Sequence, residues 1–136
     1  MKHCLVVLLL FVAIATQAQQ VINLDQVTRR QDSLIINQHV AEFEIPSDDK
    51  IDAVLFVIKS EWEKHYNMLH SEYLHVLSGK GVVEFETGMH KIYPGAIIFI
   101  PQNTRFTMRT SGKKPIKLLA YRSPAPKQKD DVIIVE

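Results

Sequence analysis

Three histidines and a glutamate, His65, His70, Glu72 and His75, fall within eleven residues in the stretch HYNMLHSEYLHVLSG, residues 65–79. Imidazole nitrogens beside a carboxylate could hold a divalent transition metal. The same groups are also the minimum apparatus for proton transfer without one. Which chemistry is open to them depends on the side chains that share a face. The EYLHVL run reads as a strand, so Glu72, Leu74 and Val76 point one way and His75 the other. His70 has the parity of Glu72 and lies on the turn leading into that strand, so it can swing inward. His90 follows the turn ETG and His39 sits among polar neighbours, which makes both poor ligands.

Short β-type runs separated by turn signals position these residues. SLIINQHVAEFEI stops at Pro46, and IDAVLFVIKSEW follows. Next come EYLHVL, the turn SGKG, VVEFE, the turn TG, HKIY, AIIFIP, RFTMRT, the turn SGKK and PIKLLAYRS. Many short strands with Gly, Pro, Asn and Ser at the joints predict an all-β antiparallel sandwich or barrel. No stretch shows a sustained helical period. Pro124–Asp131, PAPKQKDD, reads as an exposed linker. The closing VIIVE, Val132–Glu136, is apolar enough to pair with a sheet edge of its own subunit or a neighbour, or else to fray.

Glu72 followed by six residues and Gly79, then Gly95 followed by five residues and Pro101, resembles the two signature motifs of the cupin superfamily. The resemblance spans residues 59–123 and implies a cupin-type small β-barrel, the double-stranded β-helix or jelly roll, with a pocket inside one end. It places His65 at the family's first histidine ligand and Glu72 at its glutamate. Asn67 stands where a second histidine is expected, and Phe106 where the second motif has its histidine. Lys59 replaces the opening glycine of the first motif. Asn103 and Thr110 replace a glycine and an asparagine of the second. Asn103 is the mild departure, because asparagine tolerates left-handed backbone. Phe106 is the severe one, since a phenyl ring cannot ligate a cation.

The site is therefore expected to be degenerate. Phe106 and Met108 should face inward with Leu74, Val76, Val83 and Phe85, either as core or as the apolar lining of a ligand pocket. In the pocket reading Asn67, Leu74, Phe85, Phe106 and Met108 contact a sugar or another polar organic molecule. Glu72 and His65 orient it and supply the acid and base, with no cofactor. Burial would raise the pKa of Glu72, and a cationic His65 would lower it. In the alternative reading His65, Glu72 and His70 hold one divalent metal (Mn, Fe, Ni or Zn) for an isomerase, lyase or oxygenase. Trp62 and Tyr66 are either an aromatic rim or structural residues.

Residues 1–18, MKHCLVVLLLFVAIATQA, read as a secretory signal peptide: a lysine, an apolar run from Cys4 to Ala15, and small residues Thr16 and Ala18 before the cut. The run is too short to span a bilayer comfortably, so no membrane span is expected once it is removed. The mature chain, from Gln19, has no cysteine and thus neither disulfide nor thiol nucleophile. Its fifteen Lys and Arg balance fifteen Asp and Glu, which gives no electrostatic reason to expect nucleic acid as a partner. The expectation is one domain (19–123) with a C-terminal linker and tail (124–136), exported to a periplasm or secreted, and a homodimer.

Overall fold

The computed structural model describes residues 19–30, 34–126 and 131–136. In chain order its elements are α1 (Leu24–Arg30), β1 (Leu34–Asn37), β2 (Val40–Ile45), β3 (Asp52–Ile58), β4 (Glu61–Asn67), β5 (Ser71–Ser78), β6 (Gly81–Phe85), β7 (Gly88–Ile92), β8 (Ile97–Ile100), β9 (Phe106–Thr110), β10 (Ile116–Ser123) and β11 (Val132–Ile134). All strand pairs are antiparallel, in two sheets ordered β1-β2-β3-β10-β5-β8 and β11-β4-β9-β6-β7. This is the all-β jelly roll expected, built as two facing sheets rather than one sheet closed on itself.

Period-two alternation decides what lies between the sheets. On β5 Glu72, Leu74 and Val76 are buried while Tyr73 is exposed and His75 half-buried. On β10 Ile116, Leu118 and Ala120 are buried. On β9 Phe106 and Met108 turn in, whereas Arg105, just before the strand, and Arg109 are exposed. Each fully buried Leu, Ile or Phe contributes about 1.5–3 kcal/mol, and the cluster these residues form with Val54, Phe56, Ile58 and Trp62 holds the two sheets together.

Two turn positions account for motif residues. Gly79 closes the β5–β6 connection at φ +83°, and a Cβ there would stand 2.3 Å from the Pro115 carbonyl oxygen, so glycine is required. Asn103 has φ 64°, the left-handed conformation asparagine tolerates.

One element differs from the sequence reading. A seven-residue helix, α1, precedes the sheets; it is too short to show a helical period, and its Val27 is buried. The C-terminal VII takes the first of the two courses expected of it: it pairs with β4 in its own subunit as β11, with Val132 opposite Asn67 and Ile134 opposite His65. The segment expected as linker and tail therefore ends as part of the sheet, and Asp131 is buried. The expected signal peptide, 1–18, lies outside the described residues.

Candidate functional site

The inward stripes of several strands begin apolar and end polar, and they do so at the same end of the sandwich. Along β10 the buried row runs Ile116, Leu118, Ala120 and then Arg122; along β5 it runs Val76, Leu74 and then Glu72. Along β3 it runs Ile58, Phe56, Val54 and then Asp52, and on β2 Val40 is followed by Glu42. On β4 a bulge between Trp62 and His65 resets the alternation, so Trp62, His65 and Asn67 all turn in. Register brings the polar ends together, with Arg122 opposite both Asp52 and Glu72. A polar floor thus sits below an apolar core.

His65 is fully buried between aromatic rings. The Trp62 ring stacks on it at 4.7 Å between centroids, and Phe106 packs at 4.3 Å. Its Nδ1 donates to the Glu63 carbonyl at 2.7 Å. Its Nε2 is buried without a partner, alone in this respect among buried side-chain nitrogens and oxygens of the described residues. Burial lowers its pKa to about 4, with the Glu63 bond opposing. His65 is consequently a neutral imidazole whose bare lone pair is available to a ligand or a proton, at a cost of roughly 1–3 kcal/mol while unpaired.

Glu72 is also buried. Asn67 Nδ2 donates to its Oε1 at 2.9 Å, and its Oε2 lies 3.9 Å from His70 Nε2. Burial pushes the Glu72 pKa up to about 7, against the lesser lowering effects of the Asn67 bond and the Arg122 charge. Between about pH 4 and 7 Glu72 is therefore mainly a carboxylic acid and His65 an unprotonated imidazole, the reverse of the order in water. Asn67, the hydrogen-bond partner of Glu72, lies two residues beyond His65 on the same inward face of β4, roughly 7 Å along the strand.

His70 does swing inward and is buried, with Nδ1 bonded to Asp131 Oδ2. Burial lowers its pKa, outweighing the Asp131 bond. Arg122 pairs with Asp52 and, at 3.2 Å, with Glu42. The pKa of Glu42 is raised by burial more than Arg122 lowers it. Asp131, Arg122, Asp52 and Glu42 escaped the sequence reading. For Arg122, Asp52 and Glu42 the signal was present: each is a charge in phase with an apolar stripe.

Leu74, Phe106 and Met108 are fully buried core residues, whereas Phe85 is half-buried and lines an open cleft of about 720 Å³. Tyr66, Phe99, Pro101, Asn103 and Arg105 share that cleft. Asn103 N–H donates to the Asn67 carbonyl at 2.7 Å, so the cleft wall is bonded to the polar floor. Trp62 is core, Tyr66 is rim, and His90 is exposed. His39 hydrogen-bonds Ser60 Oγ at 2.7 Å.

A metal, which the resemblance to this family raises, is poorly matched by these residues. Phe106 has no donor atom, and Asn67 is committed to Glu72. Among the described residues no three His, Cys, Asp or Glu side chains are grouped to hold an ion, so His65, Glu72 and His70 do not form the expected ligand set.

Residues 55–121 match the family described as Cupin domain. The comparison with curated proteins finds no match. Among solved structures, Pac13 from Streptomyces, described as a nucleoside dehydratase, is 20% identical, with 76% of this chain and 85% of that chain covered at a TM-score of 0.64. KdgF from Halomonas is 16% identical, with 74% and 94% covered at 0.65. A conserved protein with a double-stranded β-helix domain from Klebsiella pneumoniae is 12% identical, with 88% and 99% covered at 0.70. At these identities the likeness is one of fold. The sequence match, the signature residues and the paired sheets together make this chain a member of the cupin superfamily.

Proposed function

We propose that this cupin binds a small polar organic molecule, a sugar or a compound like it, and transfers protons on it without a metal. The observation that carries the proposal is the buried, partnerless Nε2 of His65. Glu72 would act as the acid and His65 as the base, and between about pH 4 and 7 both are in the form those roles need. The aromatic cleft is the approach, offering Tyr66 and Phe85 as faces and Arg105 and Asn103 as polar contacts. Both working groups are fully buried, so engagement requires the wall at Asn103–Arg105 to part from Asn67. The neighbouring nucleoside dehydratase supports the reading only as an enzyme on the same fold.

Saturation-transfer NMR against a panel of neutral sugars, uronic acids and nucleosides, in the presence of EDTA, tests the proposal. At least one class should bind, with about tenfold weaker binding to His65→Phe, which keeps a ring but removes Nε2. Solvent deuterium should enter the bound compound with wild type and not with Glu72→Gln. Binding that appears only when a metal is added, or that is indifferent to His65→Phe, contradicts it.

We propose further that the protein is exported and forms a homodimer. The leader-like 1–18 supports export. The outer face of the six-stranded sheet supports dimerisation: Tyr121, Tyr73 and Phe99 lie in one cross-strand row, with Ile97 beside it, and all four are exposed. Tyr73 and Phe99 stack at 4.7 Å. Native mass spectrometry of protein from a secreting host should give two copies of residues 19–136. A single copy, or one retaining 1–18, overturns the corresponding half.

A further inference from the structure

Asp131 makes three hydrogen bonds to one turn. Its Oδ1 accepts the Leu69 N–H, its Oδ2 meets His70 Nδ1, and its backbone carbonyl accepts the Met68 N–H at 2.8 Å. It is buried, and β11 immediately after it is zipped onto β4. A buried carboxylate placed this way serves more than to fasten a terminus, because fastening is already done by the strand. Its second oxygen is spent on an imidazole whose other nitrogen faces Glu72.

Resting on the reading of Glu72 as the acid, we infer that Asp131 is a positioning residue. It holds His70 as the tautomer protonated on Nδ1 and aims the bare Nε2 at Glu72, so that His70 is the group through which Glu72 gives up and regains its proton. In that step the Glu72 Oε2–H bond breaks and a His70 Nε2–H bond forms. The products are a carboxylate and an imidazolium, the latter flanked by Asp131 on one side and Glu72 on the other. No other reactant is needed. The 3.9 Å gap must close by about 1 Å to reach hydrogen-bond distance. The C-terminal segment is thereby part of the working site, and the tie between its Asp131 and the turn before β5 sets the proton supply.

Long-range ¹H–¹⁵N correlation spectra of the full chain, labelled on histidine, report the tautomer of His70 directly. Wild type should show Nδ1 protonated and Nε2 bare. Asp131→Asn keeps the size and one acceptor but is no longer a carboxylate, and it should shift His70 toward the Nε2-protonated form by at least half. The β11 amide resonances should stay in place. An intact β11 with His70 unchanged in Asp131→Asn overturns the inference. If that variant instead loses β11, Asp131→Glu decides, since it retains the carboxylate: recovery of the wild-type tautomer supports the inference, and its failure to recover contradicts it. The readout involves neither ligand nor turnover. A correct tautomer with Glu72 titrating in the ordinary carboxylate range would therefore sink the acid–base reading while leaving the positioning role standing.

Discussion

Glu72→Gln is expected to stabilise the protein above pH 8, by about 2–3 kcal/mol, and to change little at pH 4.5. The folded-state pKa of Glu72 is raised from the ordinary 4.5 to about 7. The folded state therefore binds this proton more tightly than the unfolded chain. Its contribution is fully present below pH 4.5 and is lost as pH rises through about 7, a total of about 3 kcal/mol. Glutamine stays neutral throughout, and its Oε1 can still accept from Asn67 Nδ2. For a domain of this size the gain corresponds to a rise in Tm of roughly 10 °C. His65 has the opposite sign: its pKa, lowered to about 4, removes stability as pH falls from the ordinary 6.5 toward 4. Wild type should thus be most stable between about pH 4.5 and 6.5, where the two slopes cancel, and the gain from Glu72→Gln should build up between about pH 4.5 and 7. Melting curves recorded from pH 4 to 9 check this, and parallel profiles for the two proteins would show that Glu72 is an ordinary ionised carboxylate.

The second large effect concerns Phe106, the residue that replaces a metal ligand. It is fully buried and touches three rings, with centroids 4.3 Å from His65, 5.8 Å from Trp62 and 6.3 Å from Phe85. Phe106→Ala should cost about 3–5 kcal/mol, the transfer energy of the ring plus the void left between the sheets. Urea unfolding at constant pH measures it, and a loss below about 1 kcal/mol would mean that the two sheets close over the gap. The substitution also removes the ring that separates Phe85, in the cleft wall, from His65. Any surviving fold should then admit small solutes to Nε2.

The residues that carry the site were legible because strands alternate. Glu72 in phase with Leu74 and Val76, His75 out of phase, and Phe106 in phase with Met108 all follow from period two. Asn103 was legible from its tolerance of left-handed backbone. Trp62 was ambiguous because the bulge before His65 breaks the alternation that would have placed both residues inside. Arg122, Asp52 and Glu42 obey the pattern, yet their meaning depends on register, which places three strands' ends side by side. Asp131 was beyond reach: it contacts Leu69 and His70 across more than sixty residues, and it follows a charged, proline-containing stretch that reads as solvent-exposed. Local sequence fixes which side chains turn inward; which of them meet is settled by strand order.

The proposed function stands on a buried carboxyl, Glu72, that keeps its proton where a buried, partnerless imidazole, His65, has none. Titration of ¹³C-carboxyl-labelled glutamate and ¹⁵N-labelled histidine in the metal-free protein observes both groups at once. Glu72 should titrate with a midpoint near 7, and His65 should remain neutral down to about pH 4. Glu72 titrating near 4.5 and His65 near 6.5 would mean that burial displaces neither group and that the acid and base roles are not theirs.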